Sequence, residues 1–209
     1  MSDFSELTDA LIKGDEAWVL ELTRAAMEAG TPAGEILKTG LIVGMDVVGE
    51  KMENEEMFIP EVLMSAKAMG AAVEILKPHL SAEDAASKGV VVIGTVKGDL
   101  HDIGKNLVSM MLESAGLEVH NVGVDIGPDQ FVSAVQEKKA NLICLSALLT
   151  TTMPMMKATI EALMESGIRD SVKILVGGAP VTQGFADDIG ADGYAPDAGS
   201  AAKLAKTMV

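Results

Sequence analysis

The chain is poor in cysteine and in aromatic residues. Among its 209 residues only Cys144 is a cysteine, which excludes a disulfide framework and metal sites built from two or four cysteines of one chain. Aromatic residues make up 3% of the chain and apolar residues 48%, so the core must be built from aliphatic side chains and methionine. This composition favours helices packed on a parallel sheet over a β-sandwich.

Positive charge is scarce as well. Lys and Arg number 16 against 31 Asp and Glu, and the formal net charge is −15. Because nucleic-acid backbones and anionic membranes would repel such a chain, we expect neither as a partner. An uninterrupted apolar run of about 18 residues is missing, and the N-terminal MSDFSELTDA lacks the basic and apolar regions of a secretory signal. We therefore expect a cytoplasmic protein.

The first 80 residues have helical periodicity. Apolar residues recur at three- and four-residue spacings from Phe4 to Leu80, which predicts roughly four helices. Gly14 and Asp15 mark the end of the first helix, residues 30–32 (Gly-Thr-Pro) separate the second from the third, and Pro78 closes the fourth. The simplest interpretation is a four-helix bundle.

The pattern changes after a short polar segment. Apolar β-branched runs then alternate with segments of helical length, which predicts a parallel, doubly wound sheet. The predicted strands cover residues 89–95, 117–123, 141–147 and 173–178, with a weaker fifth at 192–196. The expected fold class is α + α/β. We expect a four-helix bundle over 1–80, a linker over 81–89, and a Rossmann-like, doubly wound, five-stranded domain over 90–209.

Polar residues and glycines follow three of these strands. Parallel sheets bind ligands beyond the carboxyl ends of their strands, so these residues are candidate site residues. They are Asp99, His101 and Gly104 after the first strand, Ser146 and Thr150 after the third, and Gly177 and Gly178 after the fourth.

The Asp-x-His loop at 99–101 allows more than one interpretation. Such residues are also ordinary turn formers. Asp99 could instead hold one ring nitrogen of His101 while the other faces a metal ion. HDIGK at 101–105 resembles the signature of HD-type phosphohydrolases, and DGYAP resembles a motif of one subclass. Those enzymes are all-helical and need further histidines, whereas here a strand precedes the pair and only His79 and His120 remain.

Nucleotide sites are not favoured. The turn after the first strand reads GTVKGDLHDIG and lacks the G-x-G-x-x-G spacing of dinucleotide sites, and a P-loop is missing. Lys97, Asp99 and His101 also crowd the place where a pyrophosphate needs bare backbone.

Three motifs together resemble the signature of cobalamin-binding domains: D-x-H-x-x-G, S-x-L and a Gly-Gly pair. Their residues are Asp99, His101 and Gly104; Ser146 and Leu148; and Gly177 and Gly178. The helical half, with GMDVVGEKMENEEMFIPEVLMSAKAM at 44–69, resembles the cap bundle that precedes this domain in methionine synthase and in small corrinoid proteins of methyltransferase systems. The resemblance covers essentially the whole chain.

The resemblance implies a cofactor and a mode of binding. The cofactor is cobalamin or a related corrinoid, held base-off/His-on, with His101 as the lower axial ligand of cobalt. Asp99 would accept a hydrogen bond from the other ring nitrogen. Thr152 stands where methionine synthase has a serine that extends this pair. Ser146 and Thr150 match positions that hydrogen-bond the benzimidazole of the displaced nucleotide tail.

The resemblance also implies roles for glycines and for the cap. Glycines would leave room for the tail. Asp102 would lie in the first turn of the helix that follows the histidine, beside its N-terminus. Residues of the bundle would shield the other corrin face. The glycines are Gly94, Gly104, Gly177 and Gly178, and the cap residues are Phe58 and Val62.

The function implied is that of a methyl carrier, not of an enzyme acting alone. Cob(I)alamin would accept a methyl group from a substrate-specific methyltransferase, and methylcobalamin would pass it to a second methyltransferase with tetrahydrofolate or coenzyme M as acceptor. A reductive activator of cob(II)alamin would be a third partner. The bundle would move aside on the linker. The alternative is a cobalamin-dependent sensor or regulatory module, although the acidic chain has no basic helix-turn-helix.

Overall fold

The computed structural model describes residues 4–81 and 89–209. It divides into two compact units. The helical unit falls within Met1–Ser87 and includes Ser114–Gly116, and the sheet unit comprises Lys88–Glu113 and Leu117–Val209. Residues 82–88 of the predicted linker lie outside the described residues, so the domain boundaries at 80, 81 and 89 stay predictions.

The helical unit contains the four predicted helices. The third is made of three pieces that follow one another without a break, the middle one with π-helical hydrogen bonding. The elements are α1 (Ser5–Ile12), α2 (Glu16–Glu28), α3 (Ala33–Glu35), a π-helical segment (Ile36–Leu41), α4 (Ile42–Glu53), α5 (Ile59–Leu76) and a 3₁₀ turn (Lys77–His79).

Local signals explain where these helices begin and end. Gly14 follows α1 with a φ of +67°, a conformation that glycine adopts without steric cost. The Asp15 side chain then accepts a hydrogen bond from the backbone N–H of Trp18 and caps α2. At the start of α5, the Glu61 carboxylate accepts the Phe58 N–H at 2.8 Å. These caps satisfy donors that have no partner within the helix.

Small residues bring the third helix close to α1. A Cβ added at Gly40 would lie 2.9 Å from a methyl carbon of Leu7, and one at Gly44 would lie 2.9 Å from a methyl carbon of Leu11. Leu7 and Leu11 are both buried. The absence of a side chain at Gly40 and Gly44 thus allows the two helices to approach each other closely.

The sheet unit has the five predicted parallel strands. They are β1 (Val90–Val96), β2 (Glu118–Ile126), β3 (Leu142–Ser146), β4 (Lys173–Gly177) and β5 (Gly193–Ala195). Their order across the sheet is β2-β1-β3-β4-β5. The chain therefore moves outward from β1 in both directions, and the switch point where ligands bind in such folds lies between β1 and β3. The predicted doubly wound fold is confirmed.

Helices connect the strands. They are α6 (Ile103–Ser114), α7 (Pro128–Lys138), α8 (Pro154–Glu165), α9 (Gln183–Ile189) and α10 (Ala198–Met208), with a 3₁₀ turn at Arg169–Ser171 before β4. Within the described residues, no helix is both long and apolar enough to cross a membrane.

The second strand is longer than predicted. The pattern predicted an end at Gly123, but β2 continues to Ile126. Gly94 of β1 pairs with Gly123 of β2, and the register between the two strands shifts on both sides of this pair. Gly123 has a φ of +98°. The glycine therefore marks an irregularity within the strand and not its end.

Gly94 is required by packing in the sheet unit. A Cβ there would lie 2.7 Å from Val122 Cγ2 and 2.8 Å from Phe131 Cε1. Phe131 is completely buried, so it has little freedom to move away.

We expect Gly94→Ala to lower the free energy of unfolding by about 1–3 kcal/mol, the usual cost of overpacking a core. Urea unfolding followed by circular dichroism measures this loss. The matched control is Gly184→Ala in α9, where the added methyl group meets no atom within 4 Å. Equal stability of the two variants would contradict the packing role of Gly94.

Candidate functional site

The candidate site lies where β1 ends. Residues 97–102 form a loop between β1 and α6, beside the loop that follows β3. The Asp99 side chain is 0% exposed, whereas the His101 side chain is 51% exposed. A buried carboxylate thus stands behind an imidazole that is accessible to a ligand.

Asp99 holds the histidine ring by one nitrogen. Its Oδ1 lies 2.7 Å from His101 Nδ1 and also accepts the His101 backbone N–H at 3.1 Å. An ionised carboxylate can only accept hydrogen bonds, so Nδ1 carries a proton and is the donor of this hydrogen bond. In the tautomer that has its proton on Nδ1, the other ring nitrogen, Nε2, has a lone pair that can bind a metal. No hydrogen bond to Nε2 comes from the described residues of the sheet unit.

The second oxygen of Asp99 connects this loop to the loop after β3. Oδ2 accepts the backbone N–H groups of Leu148 at 2.8 Å and Leu149 at 3.2 Å. It also lies 2.7 Å from Thr152 Oγ1, which is 2.9 Å from the Leu149 carbonyl oxygen. The single hydroxyl proton of Thr152 favours the charged acceptor. Asp99 therefore joins the two loops of the switch point.

The pKa of Asp99 reflects this environment. Burial on its own raises the pKa, because it disfavours the charged form. The hydrogen bonds from the His101 ring, the Thr152 hydroxyl and the backbone N–H groups of Leu148 and His101 outweigh burial and hold the pKa well below its ordinary value. Asp99 is therefore ionised at neutral pH.

The surroundings of His101 are apolar and open. Leu100 and Ile103 are 71% and 75% exposed, and Leu148 and Leu149 are exposed as well. Large apolar side chains grouped at one sheet edge mark a surface that a ligand or partner covers. A Cβ at Gly104 would meet no atom within 4 Å, so there is room for a ligand at the start of α6.

The His101 ring, the Asp99 carboxylate and the exposed apolar side chains of the two loops fit a metal held in a flat macrocycle. His101 provides one nitrogen donor, a carboxylate orients it, and apolar side chains with an open glycine surround it. Among residues 4–81 and 89–209, no group of three or more His, Cys, Asp or Glu side chains could hold a metal ion. The residues present suit a metal that brings its other ligands with it.

The other two histidines and Asp102 have different surroundings from His101. His120 Nε2 lies 2.9 Å from Glu118 on β2, and His79 is in the 3₁₀ turn of the helical unit. Asp102 stands immediately before α6, one residue earlier than predicted, and its carboxylate accepts the Asn106 side-chain N–H at 3.2 Å. Asp99, and not Asp102, is therefore the aspartate that bonds the His101 ring.

The predicted tail-binding hydroxyls lie at the end of β3. Ser146 is opposite Thr95 of β1 and Gly177 of β4. Thr150 is exposed in the following loop. In the described part of the chain neither the Ser146 nor the Thr150 hydroxyl has a hydrogen-bond partner, so both are available to a ligand. Their contact with a nucleotide tail stays a prediction.

Packing within the sheet unit already requires glycine at several predicted positions. Gly178 has a φ of +130°, and a Cβ there would collide with the Ala147 carbonyl oxygen. At Gly177 it would lie 2.9 Å from the Ala195 carbonyl oxygen. These glycines, like Gly94, are explained by the fold itself, and the passage of a tail beside them stays a prediction.

The two predicted cap residues differ in accessibility. Phe58, immediately before α5, is 67% exposed, whereas Val62 is fully buried. A buried side chain has no surface to offer a cofactor in this conformation. Shielding of the corrin by these residues stays a prediction, and Phe58 is the better candidate.

Two residues outside the predicted set also hold the histidine loop. The Thr95 hydroxyl donates to the His101 carbonyl oxygen at 2.8 Å. Asp125 Oδ1 accepts the Gly98 N–H at 2.7 Å. Thr95 could have been found from its place at the end of the first strand. Asp125 carries no such signal, because its position depends on the irregular register of β2.

Comparison with known proteins agrees with this site. The B12 binding domain family matches residues 89–203, and a second B12 binding domain family matches residues 4–77. A corrinoid protein of Desulfitobacterium hafniense is 45% identical over 212 residues, which cover 100% of this chain and 98% of the relative. A dimethylamine corrinoid protein of Methanosarcina barkeri is 46% identical over 205 residues, 98% of this chain and 96% of the relative.

A solved structure is similar as well. The methanol:cobalamin methyltransferase complex of Methanosarcina barkeri contains a chain that matches with a TM-score of 0.84 and 35% identity. The match covers 98% of this chain and 78% of that one. Fold and site thus define a cobalamin-binding protein with a helical unit before its α/β unit. The chain belongs to the family of corrinoid proteins with B12 binding domains, and the predicted corrinoid cofactor is confirmed.

The lowered pKa of Asp99 predicts a pH dependence of stability. An unfolded aspartate titrates near pH 3.9, above the folded value, so ionised Asp99 stabilises the fold above about pH 4 and loses this effect as the pH falls further. Between about pH 5 and pH 3, we expect the unfolding free energy of the apoprotein to fall more steeply than that of Asp99→Asn. Urea titrations at each pH measure both slopes.

Asp129→Asn controls for the change in net charge, because it removes a carboxylate from the exposed first turn of α7. Parallel slopes for the wild type and Asp99→Asn would contradict the prediction.

Proposed function

We propose that this protein is the methyl carrier of a multi-component methyltransferase system. The observation that carries the proposal is the exposed His101 ring, whose Nδ1 is fixed by buried Asp99 at 2.7 Å and whose Nε2 is free. A dimethylamine corrinoid protein and a chain of a methanol:cobalamin methyltransferase complex are relatives of the whole chain, which supports this role.

His101 is the proposed lower axial ligand, in the base-off/His-on mode. Ionised Asp99 accepts a hydrogen bond from Nδ1–H and so makes Nε2 a stronger electron donor. The Thr152 hydroxyl and the Leu148 N–H also donate hydrogen bonds to this carboxylate. They stabilise part of its negative charge and so reduce its effect on the imidazole. When bound, the corrinoid supplies a cobalt centre that accepts and releases a methyl group, and the protein binds, orients and tunes it.

The remaining site residues would hold the rest of the cofactor. The hydroxyls of Ser146 and Thr150 are available for the displaced base. Open space beside Gly104 allows the ring to approach α6, and the exposed leucines of the two loops would lie against its apolar face. Phe58 would shield the opposite face, with Gly177 and Gly178 lining the path of the tail.

Three protein partners follow from this role. A substrate-specific methyltransferase would load the methyl group, and a second methyltransferase would transfer it to tetrahydrofolate or coenzyme M. A reductive activator would restore inactive cob(II)alamin. The proposed domains are 1–80, 81–89 and 90–209, with the linker allowing the cap to move aside, and the proposed location is the cytoplasm.

Ligation by His101 is testable without activity. We expect the reconstituted cob(II)alamin protein to show nitrogen superhyperfine coupling in its EPR spectrum, and we expect His101→Ala to lose it. Labelling histidine with ¹⁵N should convert each triplet to a doublet, which distinguishes the ring of His101 from the cofactor's own base. His120→Ala is the matched control. Retention of the coupling in His101→Ala would overturn the assignment.

The carrier role is tested by transfer itself. The reduced, cobalamin-loaded protein is mixed with methanol, methylamines or aryl methyl ethers and the methyltransferases that use them, and the absorbance change on methylation is recorded. We expect one donor and methyltransferase pair to methylate the protein rapidly, while omission of the methyltransferase lowers the rate at least about a hundredfold, a typical lower bound for lost catalytic positioning. Binding of promoter DNA without methyl transfer would favour a regulatory module instead.

A further inference from the structure

The loop that carries His101 is fixed at two points besides the Asp99 side chain. One point lies before the Asp99 side chain, at the backbone of residues 98–99, and the other lies after it, at the carbonyl group of His101. A ring held only through its own Nδ1 could still swing with its backbone. Anchors on the backbone remove that freedom before a ligand arrives.

Asp125 forms the first anchor from the end of β2. Its Oδ1 accepts the Gly98 N–H at 2.7 Å, and its own N–H donates to the Asp99 carbonyl oxygen at 3.0 Å. These two hydrogen bonds join neighbouring residues of the loop to a single residue of the strand. Asp125 has a φ of +57°, a conformation that costs energy for a residue with a side chain. The two hydrogen bonds help to maintain it.

Thr95 forms the second anchor from the end of β1. Its side chain is completely buried, and its hydroxyl donates to the His101 carbonyl oxygen at 2.8 Å. Thr95 is paired in register with Ser146 of β3, so it belongs to the rigid part of the sheet at the switch point. The position of the His101 backbone is thereby fixed to β1, an interior strand of the sheet.

We propose that Thr95 and Asp125 are positioning residues for His101, which they hold in place for cobalt through backbone contacts that do not involve the Asp99 side chain. This inference rests on the proposed role of His101 as axial ligand. The hydrogen bonds of both side chains go to the backbone of the loop and not to the imidazole, so both act through the loop. Loss of either anchor weakens ligation without removing the ligand.

The test uses paired variants in the reconstituted cob(II)alamin protein. Thr95→Val removes the hydroxyl at nearly constant shape, and Thr95→Ser keeps it. Asp125→Gly removes the carboxylate at a φ that glycine tolerates, and Asp125→Asn keeps an acceptor oxygen. The readouts are the EPR coupling to the histidine nitrogen and the pH at which acidification abolishes it.

Protons compete with cobalt for Nε2, so weaker ligation is lost at higher pH. We expect Thr95→Val and Asp125→Gly to raise this midpoint by about one pH unit, which corresponds to about tenfold weaker ligation. Thr95→Ser and Asp125→Asn should stay near the wild-type midpoint. Thr159→Val controls for the loss of a buried hydroxyl, because Thr159 bonds the Met155 carbonyl oxygen of α8 at 2.8 Å, away from the loop.

The outcomes separate the two proposals. Midpoints of Thr95→Val and Asp125→Gly that equal the wild-type value would overturn the positioning role even if the apoproteins are less stable, since a merely structural role lowers stability alone. If one variant does not fold, the other decides by the same criterion. A wild-type protein without histidine coupling would overturn the ligand assignment and this inference together.

Discussion

The arrangement of the site depends on one buried carboxylate. Asp99 has no exposed surface, and it is ionised because hydrogen-bond donors from two loops surround it. Burial of an unsatisfied charge would cost several kcal/mol, so the loops must take up positions that supply these donors. The requirement for charge compensation thus brings the end of β1 and the start of the loop after β3 together. The exposed imidazole of His101 is oriented as a consequence.

The sheet places this carboxylate at a junction that topology makes available. Because β1 lies between β2 and β3 and the chain moves outward from it in both directions, the loops after β1 and β3 are neighbours with space between them. Packing around that space is tight. At Gly94, Gly177 and Gly178 even one methyl group would clash, whereas Gly104 beside the histidine faces open space. Glycines therefore have two roles here. Three of them allow close packing within the sheet, and Gly104 leaves open space at its edge.

Much of this could be predicted from the sequence. The five strands follow from short apolar runs, and the pairing of Asp99 with His101 follows from their spacing after a buried strand. The end of β2 could not be predicted, since Gly123 has the appearance of a breaker and only the register against β1 shows an irregularity. Asp125 was missed for the same reason. Contacts between distant segments depend on register, which local patterns do not encode.

The hydrogen bonds from Leu148 and Leu149 to Asp99 have a consequence for energetics. These two residues present apolar side chains to the outside while their backbone N–H groups hold the carboxylate at 2.8 and 3.2 Å. A molecule that packs against these side chains and shifts their backbone would change the hydrogen bonds to Asp99. The hydrogen bond between Asp99 and the His101 ring would then respond to contact at a surface that does not include the imidazole.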